Sequence, residues 1–184
     1  MHHIQLHAPP RGTPAPAGVL DAEVRIATAV DLRTVARLFD AYRVFYGRSS
    51  NRRAARLFLA DRMARGESVI LVARTRRTAD APAVDVGFAQ LYRTFSSVRL
   101  GASLILNDLY VIPEARRRGI GARLVDACTA YARKVRAVSL QLETHPDNAA
   151  ALRLYAGKGF VADTEFARLS FPLELPVLSR SAAR

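Results

Sequence analysis

The sequence contains one cysteine, no tryptophan, and only two lysines, Lys134 and Lys158, among its 28 basic residues. A single cysteine permits no internal disulfide, so a reducing, cytoplasmic location is expected. Cys128 falls on the apolar face of an expected helix and reads as a core thiol, not a ligand or nucleophile. No apolar run approaches the ~18 residues of a membrane span. The start, Met1-His2-His3-Ile4-Gln5-Leu6-His7, lacks the basic flank and apolar stretch of a secretory signal. His2, His3 and His7 have no cysteine or acidic companions at ligand spacing, so no metal is expected. The net charge of +12 raises the question of a nucleic-acid partner. Its distribution argues against one, because the arginines are scattered, with no basic tail and no basic–aromatic alternation. Such a charge suits small anions.

A length of 184 residues fits one domain, and half the residues are apolar, enough for a sizeable core. Residues 1–20 carry Pro9-Pro10, Gly12, Pro14, Pro16 and Gly18 among alanines and read as a disordered lead. A single domain is expected over 21–178, with a frayed tail at 179–184.

Periodicity predicts a strand over 23–27, a helix from a cap at Asp31 to about Phe45, and a helix over 52–64 that stops before Gly66. Strands follow near 68–74, 84–94 and 102–111, with 76–82 as the turn between the first two. A helix over 119–135, a strand over 137–143, a second helix from Asp147 or Asn148 and a last strand near 164–171 complete the reading.

The most informative segment is Leu106-Asn107-Asp108-Leu109-Tyr110-Val111-Ile112-Pro113-Glu114-Ala115-Arg116-Arg117-Arg118-Gly119-Ile120-Gly121-Ala122. A buried strand ends at Pro113, and Leu124, Cys128, Tyr131 and Val135 then recur at helical spacing. Between them, Arg116-x-x-Gly119-x-Gly121 places glycines where the first free helical amides point outward. Such a helix start, with its positive dipole end, suits a pyrophosphate. Both the Lys-Ser/Thr pair of a Walker loop and the third glycine of a dinucleotide fingerprint are missing.

The second segment is Asn148-Ala149-Ala150-Ala151-Leu152-Arg153-Leu154-Tyr155-Ala156-Gly157-Lys158-Gly159-Phe160. Asn148 and Tyr155 lie two helical turns apart and therefore share a face. Taken alone, Asn148 reads as a helix cap and Tyr155 as a packing residue.

Together the two segments resemble the GNAT superfamily of acetyl-CoA-dependent N-acetyltransferases. That family carries Arg/Gln-x-x-Gly-x-Gly/Ala in one loop and Asn-x-x-Ala-x-x-Leu-Tyr-x-x-x-Gly-Phe on a later helix. This chain matches the second at Asn148, Ala151, Leu154, Tyr155, Gly159 and Phe160. The resemblance implies an α/β (α+β) fold, a mixed and mostly antiparallel sheet with helices on both faces. It implies acetyl-CoA as cosubstrate, held by the backbone of Leu109, Tyr110 and Val111, by the loop Arg116, Arg117, Arg118, Gly119, Ile120, Gly121 and Ala122, and by Asn148 and Tyr155. The acceptor is expected to be an amine, on a small molecule or a protein, and the expected assembly is a homodimer. The segment 39–51, with Tyr42, Phe45, Tyr46 and Arg48, resembles the first-helix region that lines the family's acceptor site.

Direct transfer to an amine needs a base and an acid. An alkyl amine with a pKa near 10.4 is neutral in only about one molecule in 2,500 at pH 7. Some family members carry a glutamate just before the aspartate of this strand, but here Asn107 cannot serve as a base. Asp108 and Glu143 are the candidate bases, and strand alternation sets Asp108 on the opposite face from Asn107. The resemblance makes Tyr155 the general acid for the departing thiolate. An acyl-CoA-binding module without transferase activity is the alternative reading.

Overall fold

In the computed structural model, residues 22–76, 80–171 and 173 are described. The expected disordered lead, the tip of the 76–82 turn and the 179–184 tail lie outside them. Five strands, β1 (Ala22–Ile26), β2 (Ser68–Thr75), β3 (Val84–Ser96), β4 (Gly101–Val111) and β5 (Ser139–Leu142), form one sheet in chain order. The first three pairings are antiparallel and β4–β5 is parallel.

Helices α1 (Leu32–Phe45) and α2 (Arg52–Ala64) cover one face of the sheet, and α3 (Ile120–Lys134) covers the other. Val35, Leu38 and Leu59 bury against Ile70, Val72 and Phe88 on the α1 side. Leu124, Val125 and Cys128 bury against Leu71, Ala89, Leu91 and Leu104 on the α3 side. The last helix, α4 (Ala149–Gly157), is tied to α3 by a 2.6 Å ion pair from Lys158 to Asp126. Among the described residues no helix is long and apolar enough to cross a membrane.

Two expectations need correction. Residues 164–171 form no regular structure, and Phe166, Leu169 and Phe171 are exposed. An alternating apolar pattern becomes a strand only where a neighbouring edge and a packing face receive it. Among the described residues this segment pairs with neither edge of the sheet.

Asp31 does precede α1, but its carboxylate does not cap that helix. It accepts the Thr28 amide at 2.8 Å, closing a short 3₁₀ turn, and takes both Arg25 guanidinium nitrogens at 2.6 and 2.8 Å. The Arg25 hydrogen bonds hold this buried carboxyl well below the usual carboxylate range. A lowered folded pKa stabilises the protein above the unfolded value and is lost as pH falls through the acid range. Asp31→Asn is therefore expected to cost about 2 kcal/mol at pH 7 and much less at pH 3. Urea midpoints at the two pH values measure the difference.

Candidate active site

The site begins with an irregularity in β4. Gln90 pairs with Asp108 and Leu91 with Leu106, so Asn107 is an extra residue, a β-bulge. On its N-terminal side Leu104 and Leu106 face α3. Beyond it Asp108 and Tyr110 turn toward α1, while Leu109 and Val111 face α3. The bulge reverses the strand's parity, and it brings the Asn107 side chain alongside the Asp108 carboxylate. The expectation that these two side chains occupy opposite faces is thereby corrected.

The same point opens the sheet. β5 pairs with β4 only from Ser103 to Leu106, so the two strands part beyond it. The Ile112 amide donates to Val86 O at 2.9 Å, toward β3. By alternation, Leu109 and Val111 turn their backbone groups the other way, into the gap. The Val111 carbonyl accepts Arg116 Nε at 2.9 Å. Arg116 also lies over the rings of Phe45 and Tyr110, 5.1 and 5.6 Å from their centroids. It ties the loop to the strand end and lines the cleft as well.

The loop enters α3 through two left-handed residues, Arg117 (φ 63°) and Gly119 (φ 78°). Gly119 adopts this conformation without strain, whereas the Arg117 side chain tolerates it less easily. The first i→i−4 bond of α3 runs from the Arg123 amide to Gly119 O, at 3.1 Å. The amides of Ile120, Gly121 and Ala122 precede it and have no intrahelical acceptor. Arg117 and Gly119–Ala122 line a cleft of about 440 Å³ that reaches from this loop to α1, but Arg118 does not.

Asn148, Leu154 and Tyr155 of the α4 segment line it, as do Tyr42 and Phe45 of α1 and Tyr46 just past that helix. Asn148 Oδ1 accepts the Ala151 amide at 3.2 Å, so the cap reading holds, and its side-chain nitrogen remains for the cleft. Arg48 and Phe39 are not in the lining. The α1–α2 connection is held by Asp40, which accepts Ser50 Oγ at 2.6 Å and the Asn51 amide at 2.7 Å.

The ionisable groups differ sharply in environment. Asp108 is 5% exposed, with Oδ2 sealed from solvent and without a hydrogen-bond partner among the described residues. Burial raises its pKa, and the Asn107 and Tyr42 side chains oppose that rise. Tyr155 packs on Phe160 at 5.8 Å between ring centroids, and burial pushes its phenol up to about 12. Glu143 lines the cleft but is exposed and ion-paired to Arg168. Cys128 is fully buried on α3, and burial pushes its thiol up to about 12, which makes it inert. Gln90 was missed from the sequence. It is 0% exposed, both of its amide atoms lack partners among the described residues, and it pairs across the strands with Asp108. A lone amide within the apolar run Phe88-Ala89-Gln90-Leu91 was the available signal.

The chain that folds into this sheet, splayed beside a helix start with free amides, matches the acetyltransferase (GNAT) family over residues 35–160. The chain belongs to that family and is an acetyltransferase, an enzyme of the transferase class. It is 41% identical over 143 residues to an uncharacterized N-acetyltransferase, YhfO, of Bacillus subtilis (strain 168), across 78% of this chain and 92% of that one. A crystal structure of a probable acetyltransferase superposes with a TM-score of 0.75 at 38% identity, covering 83% of this chain and 98% of the other. A possible acetyltransferase from Clostridium difficile 630 shares the fold, with a TM-score of 0.69 at 18% identity over 84% of this chain and 99% of the other.

Proposed function

We propose that the protein transfers an acetyl group from acetyl-CoA directly to a primary amine. The observation carrying this reading is one cleft that joins free backbone groups to the Tyr42, Tyr46 and Tyr155 side chains, with the buried Asp108 carboxylate behind its wall. The residues present fit acetyl-CoA. Strand groups at Leu109 and Val111 offer a ladder for its pantetheine amides, and the Asn148 side-chain nitrogen offers a further donor. The amides of Ile120, Gly121 and Ala122 suit a pyrophosphate, and a side chain at Gly119, where φ is 78°, would be strained.

When bound, acetyl-CoA supplies an activated thioester. The chain must then take a proton from the acceptor nitrogen and give one to the departing sulfur. Asp108 is the stronger candidate base, because burial behind the cleft wall has made it more basic, whereas Glu143 lines the cleft but is exposed and paired with Arg168. Tyr155 faces the cleft with its proton firmly held and serves as the acid. The buried Cys128 does not line the cleft, so it cannot serve as an acyl carrier. Its burial also fits a reducing cytoplasm.

Acetyl-CoA at about 100 times its Kd should stabilise the protein by roughly 2.7 kcal/mol, read as a rise in Tm. Thiol release from acetyl-CoA in the presence of an amine panel tests the transfer. Binding without amine-dependent release would leave a binding module, and no thermal shift would remove the acetyl-CoA reading altogether.

A further inference from the structure

Asp108 lies behind the cleft wall, because neither it nor Gln90 is among the lining residues. Two residues line the cleft beside its carboxylate: Asn107 from the bulge, and Tyr42 from α1, whose ring meets that of Tyr110, two residues beyond Asp108 on the same face of β4. A carboxamide can orient a carboxylate but has no hydroxyl through which to pass a proton on. A phenol can accept one proton while releasing another. Tyr42 is also fixed in place, its ring meeting those of Tyr46 at 4.9 Å, Phe88 at 6.0 Å and Tyr110 at 6.2 Å between centroids.

We propose that Tyr42 is the proton relay of this site, passing the proton of the acceptor amine to the buried Asp108 carboxylate. The inference rests on the amine-acetylating reading given above. The ammonium proton moves to Tyr42 Oη as the Tyr42 proton moves to Asp108, leaving a neutral amine, an unchanged phenol and a carboxylic acid. The nitrogen lone pair then forms the C–N bond, and the C–S bond breaks with its electron pair going to sulfur. Tyr155 protonates that sulfur and is reprotonated by water carrying the second proton from nitrogen. Asp108 returns its own proton to bulk water by the reverse path, through the Tyr42 hydroxyl that lines the cleft. Such a concerted transfer requires no free phenolate, which suits a phenol whose ionisation burial and Asp108 both oppose.

The groups acting on Asp108 or in contact with it are Tyr42 and Tyr46 on α1, Gln90 and Tyr92 on β3 and Asn107 on β4, with Tyr155 on α4 acting on Tyr42. Among the described residues no arginine or lysine is ion-paired with it. Its pH response is therefore set by burial and by these hydroxyls and amides.

The test compares wild type, Tyr42→Phe, Asp108→Asn and the double variant on two acceptor sets of matched size. Alkyl amines need a proton removed at pH 7, whereas alkoxyamines are already neutral. Each single variant should lose on the order of 10²-fold or more with alkyl amines. The double variant should lose no more than either single one. The loss should shrink as pH approaches the amine pKa, and alkoxyamine rates should be retained. Independently of any acceptor, the infrared band of the protonated carboxyl absent from Asp108→Asn should titrate at higher pH in Tyr42→Phe, because the Tyr42 hydroxyl favours the charged form. Full alkyl-amine activity in Tyr42→Phe, equal losses on both acceptor sets, or an unmoved band would overturn the relay. Wild-type protein that binds acetyl-CoA but releases thiol with neither set would overturn the transferase reading, and the relay with it.

Discussion

Tyr155→Phe is expected to lower kcat by on the order of 10²–10⁴ while leaving the acetyl-CoA-dependent rise in Tm in place. The substitution removes one hydroxyl and keeps the ring that packs against Phe160. Burial pushes the phenol up to about 12, with Tyr46 and Cys128 adding to the rise. It therefore stays protonated through the range where an alkyl amine with a pKa of about 10.4 becomes neutral. The wild-type rate should climb with pH as amine and base deprotonate, with no falling limb from Tyr155 in that range. A thiolate forming in the same cleft is desolvated as well, so its proton affinity rises together with that of the phenol. The transfer is thus less uphill than the phenol alone suggests. A variant keeping nearly full kcat from pH 6 to pH 10 would assign the sulfur's proton to solvent and clear Tyr155 of catalysis.

Why some of this was legible in the sequence and some was not follows from the range of the interactions. Helix α2 is bounded by local chemistry, with Asn51 Oδ1 accepting the Ala54 amide at 2.9 Å and a left-handed Gly66 just past its end. Both signals lie within a few residues of the boundary they set. The α3 start and the Asn148–Tyr155 face are local in the same sense. The bulge at Asn107 is different, because it exists only in the register with β3, where Gln90 and Leu91 pair around it. Nothing in Leu106-Asn107-Asp108-Leu109 alone says that the side-chain parity reverses there.

The contact of Asp108 with Tyr42 is longer still in range, joining residues on α1 and β4 through the packing of a helix on a sheet. The tyrosines of α1 could be placed on one helical face from their spacing, but the carboxylate they meet could not be named. Arg116 adds a contact of the same long range, for beside the cleft that it lines its Nε bonds the strand end and its guanidinium lies over two aromatic rings. The overcalled strand at 164–171 failed for a related reason, since alternation describes a segment that could pair and does not supply its partner.

Gly121→Asp is expected to abolish the acetyl-CoA-dependent stabilisation, roughly 2.7 kcal/mol at 100 times the wild-type Kd, without unfolding the protein. Gly121 sits in the first turn of α3, and a Cβ built there would lie 3.4 Å from Leu154 Cδ2, an ordinary contact. An aspartate at a helix start interacts favourably with the dipole, by about 0.3–1 kcal/mol. The ligand-free variant should therefore melt at the wild-type temperature or slightly above it. The bound state suffers the opposite effect, because the new carboxylate competes for the free amides and repels the pyrophosphate. Gly121→Asn separates the two contributions. It adds nearly the same bulk without charge and should retain part of the shift. High salt should recover some binding in Gly121→Asp and little in Gly121→Asn, since screening weakens only the charge repulsion. A Gly121→Asp protein with an undiminished acetyl-CoA shift would move the pyrophosphate away from the amides of Ile120, Gly121 and Ala122.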